Sequence, residues 1–184
     1  MPDQHRQPHI FISHSSKDDD TVKRLREILA VHGQLTWVDS RELTGGDFLE
    51  STLENAIRDA RYFLVVISID ALSSTWVQRE VRLALEIAKE RNDGYKVISI
   101  VLPGVQPGLL KLLFPEEPIH IFVEDTPTGL NEAIPKISAA LGLQLPTDWQ
   151  SGQIVEVEPL AELLLTLTDP HITEHENIRR ATAT

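Results

Sequence analysis

Residues Tyr62 to Ile69 read YFLVVISI, a run in which only Ser68 is polar and four positions are β-branched Val or Ile. A strand with one wet face alternates apolar and polar residues. An unbroken apolar run belongs to a strand covered on both faces, as in a parallel sheet flanked by helices. The segment Ser73 to Ala88 follows with helical spacing, giving one strand–helix unit. The same unit recurs on either side. Upstream, His9–Ser13 (HIFIS) reads as a strand, and Val22, Leu25, Ile28 and Leu29 recur at helical spacing until Gly33 supplies a stop. Leu35–Val38 is a second short strand. After DSRELTGGD, the residues Leu49, Leu53, Ala56, Ile57 and Ala60 return to helical spacing, with Asp47 a candidate N-cap. Downstream, Lys96–Leu102 repeats the strand character. The next stretch, VLPGVQPGLLKLLFPEEP, has four prolines and room for a short helix only. Ile119–Val123 is the last strand and Leu130–Leu141 the last helix, although Pro135 argues against its continuity. Five strands alternating with helices predict an α/β fold with a five-stranded parallel sheet and helices on both faces, since each parallel pair needs a crossover. Ligands in such sheets bind at the carboxyl ends of the strands, so the functional loops are expected after Ser13, Val38 and Ile69.

A chain of 184 residues, 41% hydrophobic and 24% charged, supports one core with some excess. It contains no cysteine, which excludes disulfides, thiolate nucleophiles and cysteine zinc sites. A formal net charge of -11 opposes binding to a phosphate backbone, so nucleic acid is not an expected partner. No apolar run reaches the roughly 18 residues of a membrane span. A cytoplasmic location is the expectation. From Leu143 the composition turns linker-like, and Leu160, Leu163, Leu164 and Leu167 then trace one helical stripe with no partner of its own. Residues 143–184 are therefore expected to be a linker and the start of a second module, and residues 1–7 an N-terminal extension. His171–His175 (HITEH) matches the inverted zincin pattern. It directly follows Pro170 and lies near the chain end with no core to supply a third ligand, so it reads as coincidence and no metal site is expected.

The segment WVQREVRLALEIAKE carries the main chemical signal. At about 100° per residue, Val77, Val81, Ala84, Leu85 and Ala88 gather in one arc, while Gln78, Arg79, Arg82, Glu86 and Lys89 cover the opposite side. Glu80 falls inside the apolar arc, one turn after Trp76. A carboxylate there needs a hydrogen-bonded neighbour or a function. Helix geometry leaves both readings open.

Four segments together, FISHSSKD (11–18), DSRELTGGDF (39–48), RYFLVVIS (61–68) and SSTWVQREVRLAL (73–85), occur in the order and spacing of one family. Residues 8–142 resemble a bacterial-type TIR (Toll/interleukin-1 receptor) domain, a flavodoxin-like fold. FISHSSKD looks like the box ending the first strand, DSRELTGGDF like the BB loop, and WVQRE like the W-x-x-x-E element of the NAD-cleaving members. The resemblance implies that NAD+ is a substrate rather than a cofactor, and that Glu80 is the catalytic carboxylate. It places Trp76 beside the nucleotide, with Ser13, His14, Ser15, Asp39, Thr44, Gly45, Gly46 and Phe48 as pocket walls. It also implies homotypic TIR–TIR association, activity dependent on self-assembly, and a role in bacterial immune or stress signalling with a sensor module C-terminal to the domain. A single carboxylate suits the reaction. Nicotinamide departs as a neutral molecule from a cationic ring, so the second carboxyl group of ordinary glycosidases is not needed.

Other readings fit less well. A receiver domain would end its third strand in a phospho-accepting aspartate, where this chain has Ser68, and Asp18–Asp20 read instead as the first turn of a helix. A dinucleotide-binding G-x-G-x-x-G is missing from SHSSKD. Deoxyribosyltransferases also cleave an N-glycosidic bond with a glutamate, but they do not account for the BB-loop match. A non-catalytic TIR scaffold is the serious alternative, and it has no need of a carboxylate in an apolar arc.

Overall fold

The computed structural model describes residues 9–31, 34–38, 46–115 and 118–144, without the side chains of residues 9 and 46–50. The strands are β1 (His9–Ser13), β2 (Leu35–Val38), β3 (Tyr62–Ile67), β4 (Lys96–Val101) and β5 (Ile119–Phe122). They form one sheet, all parallel, in the order β2-β1-β3-β4-β5. The helices are α1 (Asp19–Val31), α2 (Gly46–Asp59), α3 (Ile69–Ser73), α4 (Thr75–Glu90) and α5 (Gly129–Leu141), with 3-10 turns at Ser16–Asp18 and Pro107–Leu112. The order reverses direction between β1 and β3, and the crevice beyond the carboxyl ends of the strands at such a switch point is where this class of sheet binds ligands.

Every residue of β3 is buried, as its unbroken apolar run requires. Alternation along the strands divides the interior into two cores. Phe11, Phe63, Val65 and Ile67 pack with α2, α3 and α4, whereas Ile10, Ile12, Leu64 and Val66 pack with α1 and α5. Phe11 lies between Trp37 and Phe63, with ring centroids 4.9 and 5.4 Å away. Full burial of such a side chain is worth roughly 1.5–3 kcal/mol.

Several local expectations need correction. β3 stops at Ile67, not Ile69, because the Ser68 hydroxyl caps a short helix, accepting from the Ala71 N–H at 3.0 Å. Five residues are too few to display a period, so Ile69–Ser73 carried no helical signal. Ser73 belongs to that short helix, and α4 starts anew behind its own cap, Ser74, running on to Glu90. α2 begins at Gly46, which puts Asp47 inside its first turn and not at the cap. Pro135 sits within α5 without ending it. The ring lies on the exposed side, while Ala133, Ile134, Ile137 and Leu141 bury the other, so packing outweighs the lost hydrogen bond. α5 ends at Gly142 (φ 69°), with Gly142 N–H donating to Ala139 and Leu143 N–H to Ser138. At the other end, a Cβ on Gly129 would stand 2.0 Å from the Glu124 carbonyl oxygen, so only glycine lets α5 start there.

Gly33, the N-terminal extension, the leucine stripe and HITEH lie outside the described residues. Among the described residues, no helix is long and apolar enough to cross a membrane.

Candidate active site

Ser13 closes β1, and the alternation that buries Phe11 beneath α4 turns Ser13 to the same side. Ser74 caps α4 by accepting from the Val77 N–H, which fixes where the helix starts and hence the level of Glu80 in its second turn. Val77, Val81 and Ala84 anchor α4 on the sheet, and Glu80 is carried in with them to 2% exposure. Its carboxylate is not bare. Ser13 Oγ donates to Oε2, and Trp76 Nε1 donates to Oε1 at 3.0 Å. Each carboxylate oxygen thus accepts from a neutral donor. Neutral donors offset part of the desolvation cost while leaving the negative charge in place.

Glu80 and Trp76 line a cleft of about 240 Å³ between α2 and α4, which Leu53, Ile57 and Leu83 floor and Glu54, Arg79, Arg82 and Glu86 border. One end is a desolvated carboxylate beside an indole, and the rim carries two guanidinium groups, Arg79 and Arg82, interspersed with the carboxylates Glu54 and Glu86. The carboxylate end of such a cleft suits a ligand with a cationic or incipiently cationic centre, and the arginines offer donors to its polar groups.

The other expected wall residues divide. His14 is buried at 5% exposure, neither a solvated loop residue nor part of the cleft, with Nε2 2.9 Å from Asp19 Oδ1. Ser15 caps the 3-10 turn, its hydroxyl accepting from the Lys17 N–H at 3.4 Å. Of the three, Ser13 donates to Glu80. Gly46 lies in the first turn of α2 and Phe48 shortly after it, while Asp39, Thr44 and Gly45 fall outside the described residues.

Two features escaped sequence reasoning. Arg79, Arg82 and Glu86 looked like a plain solvated face, yet they border the cleft. The helical wheel gives their direction but not the presence of α2 across from them. Asp18 turns inward at 8% exposure and accepts from Ser68 Oγ at 2.7 Å, joining the ends of β1 and β3 at the switch point. Its position in a run of three aspartates concealed this.

A parallel 2-1-3-4-5 sheet, with a buried glutamate that accepts a hydrogen bond from the last residue of β1 and lines a cleft, defines a flavodoxin-like α/β protein. Residues 10–131 match the family model described as TIR domain, and the chain belongs to that family. Similar curated proteins include the 2' cyclic ADP-D-ribose synthase BtTIR of Bacteroides thetaiotaomicron, 36% identical over 53% of this chain and 33% of that protein. The 2' cyclic ADP-D-ribose synthase AbTIR of Acinetobacter baumannii is 34% identical over 53% of this chain and 36% of that protein. The NAD(+) hydrolase TcpA of a Theionarchaea archaeon is 36% identical over 52% of this chain and 29% of that protein. The chain thus spans about a third of the length of these relatives. Among solved structures, the TIR domains of the activated Roq1 resistosome recognising the effector XopQ share the fold, with a TM-score of 0.56 and 22% identity over 73% of this chain and 99% of that one.

Proposed function

We propose that this TIR domain cleaves the bond between nicotinamide and ribose in NAD+, with Glu80 as its catalytic carboxylate. The observation that carries the reading is the buried Glu80 carboxylate, held at both oxygens by Ser13 and Trp76 and lining a cleft. The bond from ribose C1′ to the pyridinium nitrogen breaks, and its electron pair returns to the ring, which leaves as neutral nicotinamide. The positive charge passes to the ribose as an oxocarbenium ion beside Glu80. A fixed anion in a low-dielectric wall stabilises that charge at no cost of reorganisation. Water then attacks C1′, releasing a proton and giving ADP-ribose, or a hydroxyl of the nucleotide attacks and gives a cyclic product. The names of the similar proteins, two cyclic ADP-ribose synthases and one NAD+ hydrolase, support the substrate. Trp76 and Ser13 orient the carboxylate, and Asp39, Thr44, Gly45, Gly46 and Phe48 are proposed to wall the nucleotide. Self-association of the domain brings the site to its active form.

The test is nicotinamide release from NAD+ by concentrated protein with a crowding agent, beside Glu80→Ala, followed by chromatography of the nucleotide product. Release by the wild type and none by the variant is expected. No release in any assembled state would favour a TIR scaffold, and release surviving in the variant would place the chemistry elsewhere.

A further inference from the structure

Asp18 is a second buried carboxylate at the switch point, and the proposed reaction assigns it nothing. It closes the 3-10 turn Ser16–Asp18, where its N–H donates to the Ser15 carbonyl at 2.8 Å. It directly precedes α1, whose amino-terminal dipole favours a carboxylate. Its Oδ2 accepts from Ser68 Oγ at 2.7 Å, a bond between residues 50 positions apart. Asp18 is not among the residues that line the Glu80 cleft, so any part it plays there is taken through others.

From Ser68 the hydrogen bonds lead on to Glu80. While donating to Asp18, the Ser68 hydroxyl accepts from the Ala71 N–H at 3.0 Å, and the Ser68 carbonyl accepts from the Leu72 N–H at 3.0 Å, which sets the start of α3. The Ala71 carbonyl accepts from the Ser74 N–H at 3.2 Å and the Leu72 carbonyl from Gln78 Nε2 at 2.8 Å, so α3 is tied to the first turn of α4. Ser74 caps α4, Glu80 follows in its second turn, and Ser13 Oγ donates back to Glu80. The links close a ring that runs from Ser13 along the chain to Asp18, across to Ser68, through α3 into α4, and from Glu80 back to Ser13. The end of β1 is therefore tied to α4 along a direct route, through Ser13, and an indirect one, through Asp18.

The reaction makes different demands on the two routes. The direct bond occupies Oε2 of the carboxylate that must meet the ribose cation, whereas the indirect route uses neither Glu80 oxygen. Packing of Val77, Val81 and Ala84 holds α4 on the sheet, but apolar contact is non-directional and by itself fixes neither the rotation of the helix nor its level along its axis. Hydrogen bonds have direction and do fix them. We propose that Asp18 is a positioning residue of the NAD+ site: its bond to Ser68 keeps the start of α4, and with it Glu80, in register with the end of β1 while the Glu80 carboxylate engages the substrate. The consequence for catalysis rests on the reaction proposed above, and the geometry rests on the ring alone. Misplacing a reacting group by about 1 Å can cost about a hundredfold in rate.

Asp18→Ala, Asp18→Asn and Arg91→Ala are compared in the full chain. Asparagine keeps an acceptor oxygen for Ser68, and Arg91 caps the far end of α4, away from the ring. The first readout needs no substrate. The Trp76 indole N–H donates to Glu80, and its nitrogen–proton resonance, identified by its disappearance in Trp76→Phe, reports on the carboxylate. Asp18→Ala is expected to shift or broaden that resonance, Asp18→Asn to restore it, and Arg91→Ala to leave it in place. The second readout is nicotinamide release per folded molecule. In Asp18→Ala, kcat is expected to fall about tenfold or more while KM changes less than about twofold, and Asp18→Asn recovers most of the loss. Should Asp18→Ala not fold, Ser68→Ala removes the same bond from the other partner and takes its place. A Trp76 resonance unmoved by Asp18→Ala overturns the proposal, and so does an unchanged kcat in an active protein. Asp18→Asn as impaired as Asp18→Ala also overturns it, by making the charge of Asp18 the active element and not its bond. A wild type that releases no nicotinamide overturns the NAD+ reading instead, and the resonance then decides the positioning by itself.

Discussion

The two ends of α4 each hold a charged group tied down by hydrogen bonds, and they do so in opposite ways. Near its start, Glu80 accepts from two neutral donors, Ser13 and Trp76, and lines a cleft. At its finish, Arg91 donates through Nε and Nη2 to Asp93, through Nη1 to the carbonyls of Arg58 and Ala60 at 2.6 and 2.8 Å, and covers the Tyr95 ring at 4.7 Å. The arginine's charge is met by a carboxylate and by the carbonyl end of α2, where a cation also complements the helix dipole. It closes a corner between two helices and a strand. The two donors at the glutamate, a hydroxyl and an indole N–H, are both neutral. An ion pair at a corner of the fold serves stability, whereas a buried carboxylate that lines a cleft is, on the proposed reading, placed to meet a developing positive charge.

The strongest way to separate the two ends is Glu80→Gln, which keeps the shape and much of the hydrogen bonding but removes the charge. Nicotinamide release is expected to drop by about a thousandfold or more, the scale of losing a fixed electrostatic partner in a transition state. Arg91→Ala inverts the pattern. Losing several charge-assisted hydrogen bonds should lower unfolding free energy by about 2–3 kcal/mol in urea titration, while release per folded molecule stays unchanged. Ser13→Ala is subtler. The Glu80 carboxylate loses the Ser13 donor and keeps Trp76, and a roughly tenfold decrease in release is expected, carried in kcat more than in KM.

The remaining contrast is in pH. Burial raises the Tyr95 phenol, and the hydrogen bond from Arg91 lowers the Asp93 carboxyl. The folded state thus holds the Tyr95 proton to higher pH than the unfolded chain, so above about pH 10 the unfolded state gives up its proton first and stability falls. Asp93 acts in the other sense: its contribution is present above about pH 4 and is lost as pH falls through its lowered folded value. The Tyr95 hydroxyl, buried without a hydrogen-bond partner among the described residues, makes the smallest prediction. Tyr95→Phe should be neutral or stabilising by up to about 1 kcal/mol, and thermal melts at pH 8 and 11 should then differ less than in the wild type.

Much of the fold and the place of Glu80 are legible in the sequence. The run at β3 specified a strand buried on both faces, and the wheel of α4 put Glu80 among apolar neighbours, one turn from Trp76. Both follow from periodicity, which is local. What periodicity could not provide was the neighbour across a gap. Ser13 as a donor to Glu80, α2 opposite Arg79 and Arg82, and Asp18 joined to Ser68 each depend on elements brought together by the sheet order. His14 shows the same limit, since the sequence placed it at a strand end but not its burial against Asp19. α3 was missed because a single capped turn has no pattern to detect.

The central claim is that Glu80 is retained for its charge rather than for the fold. Urea unfolding and nicotinamide release from NAD+ should therefore be measured on the same preparations of wild type and Glu80→Gln, under conditions that promote assembly. The account predicts a variant whose unfolding midpoint is unchanged or higher and whose release is at the level of the blank. A variant that releases nicotinamide at the wild-type rate, or one that loses release only because it has lost its fold, would contradict it.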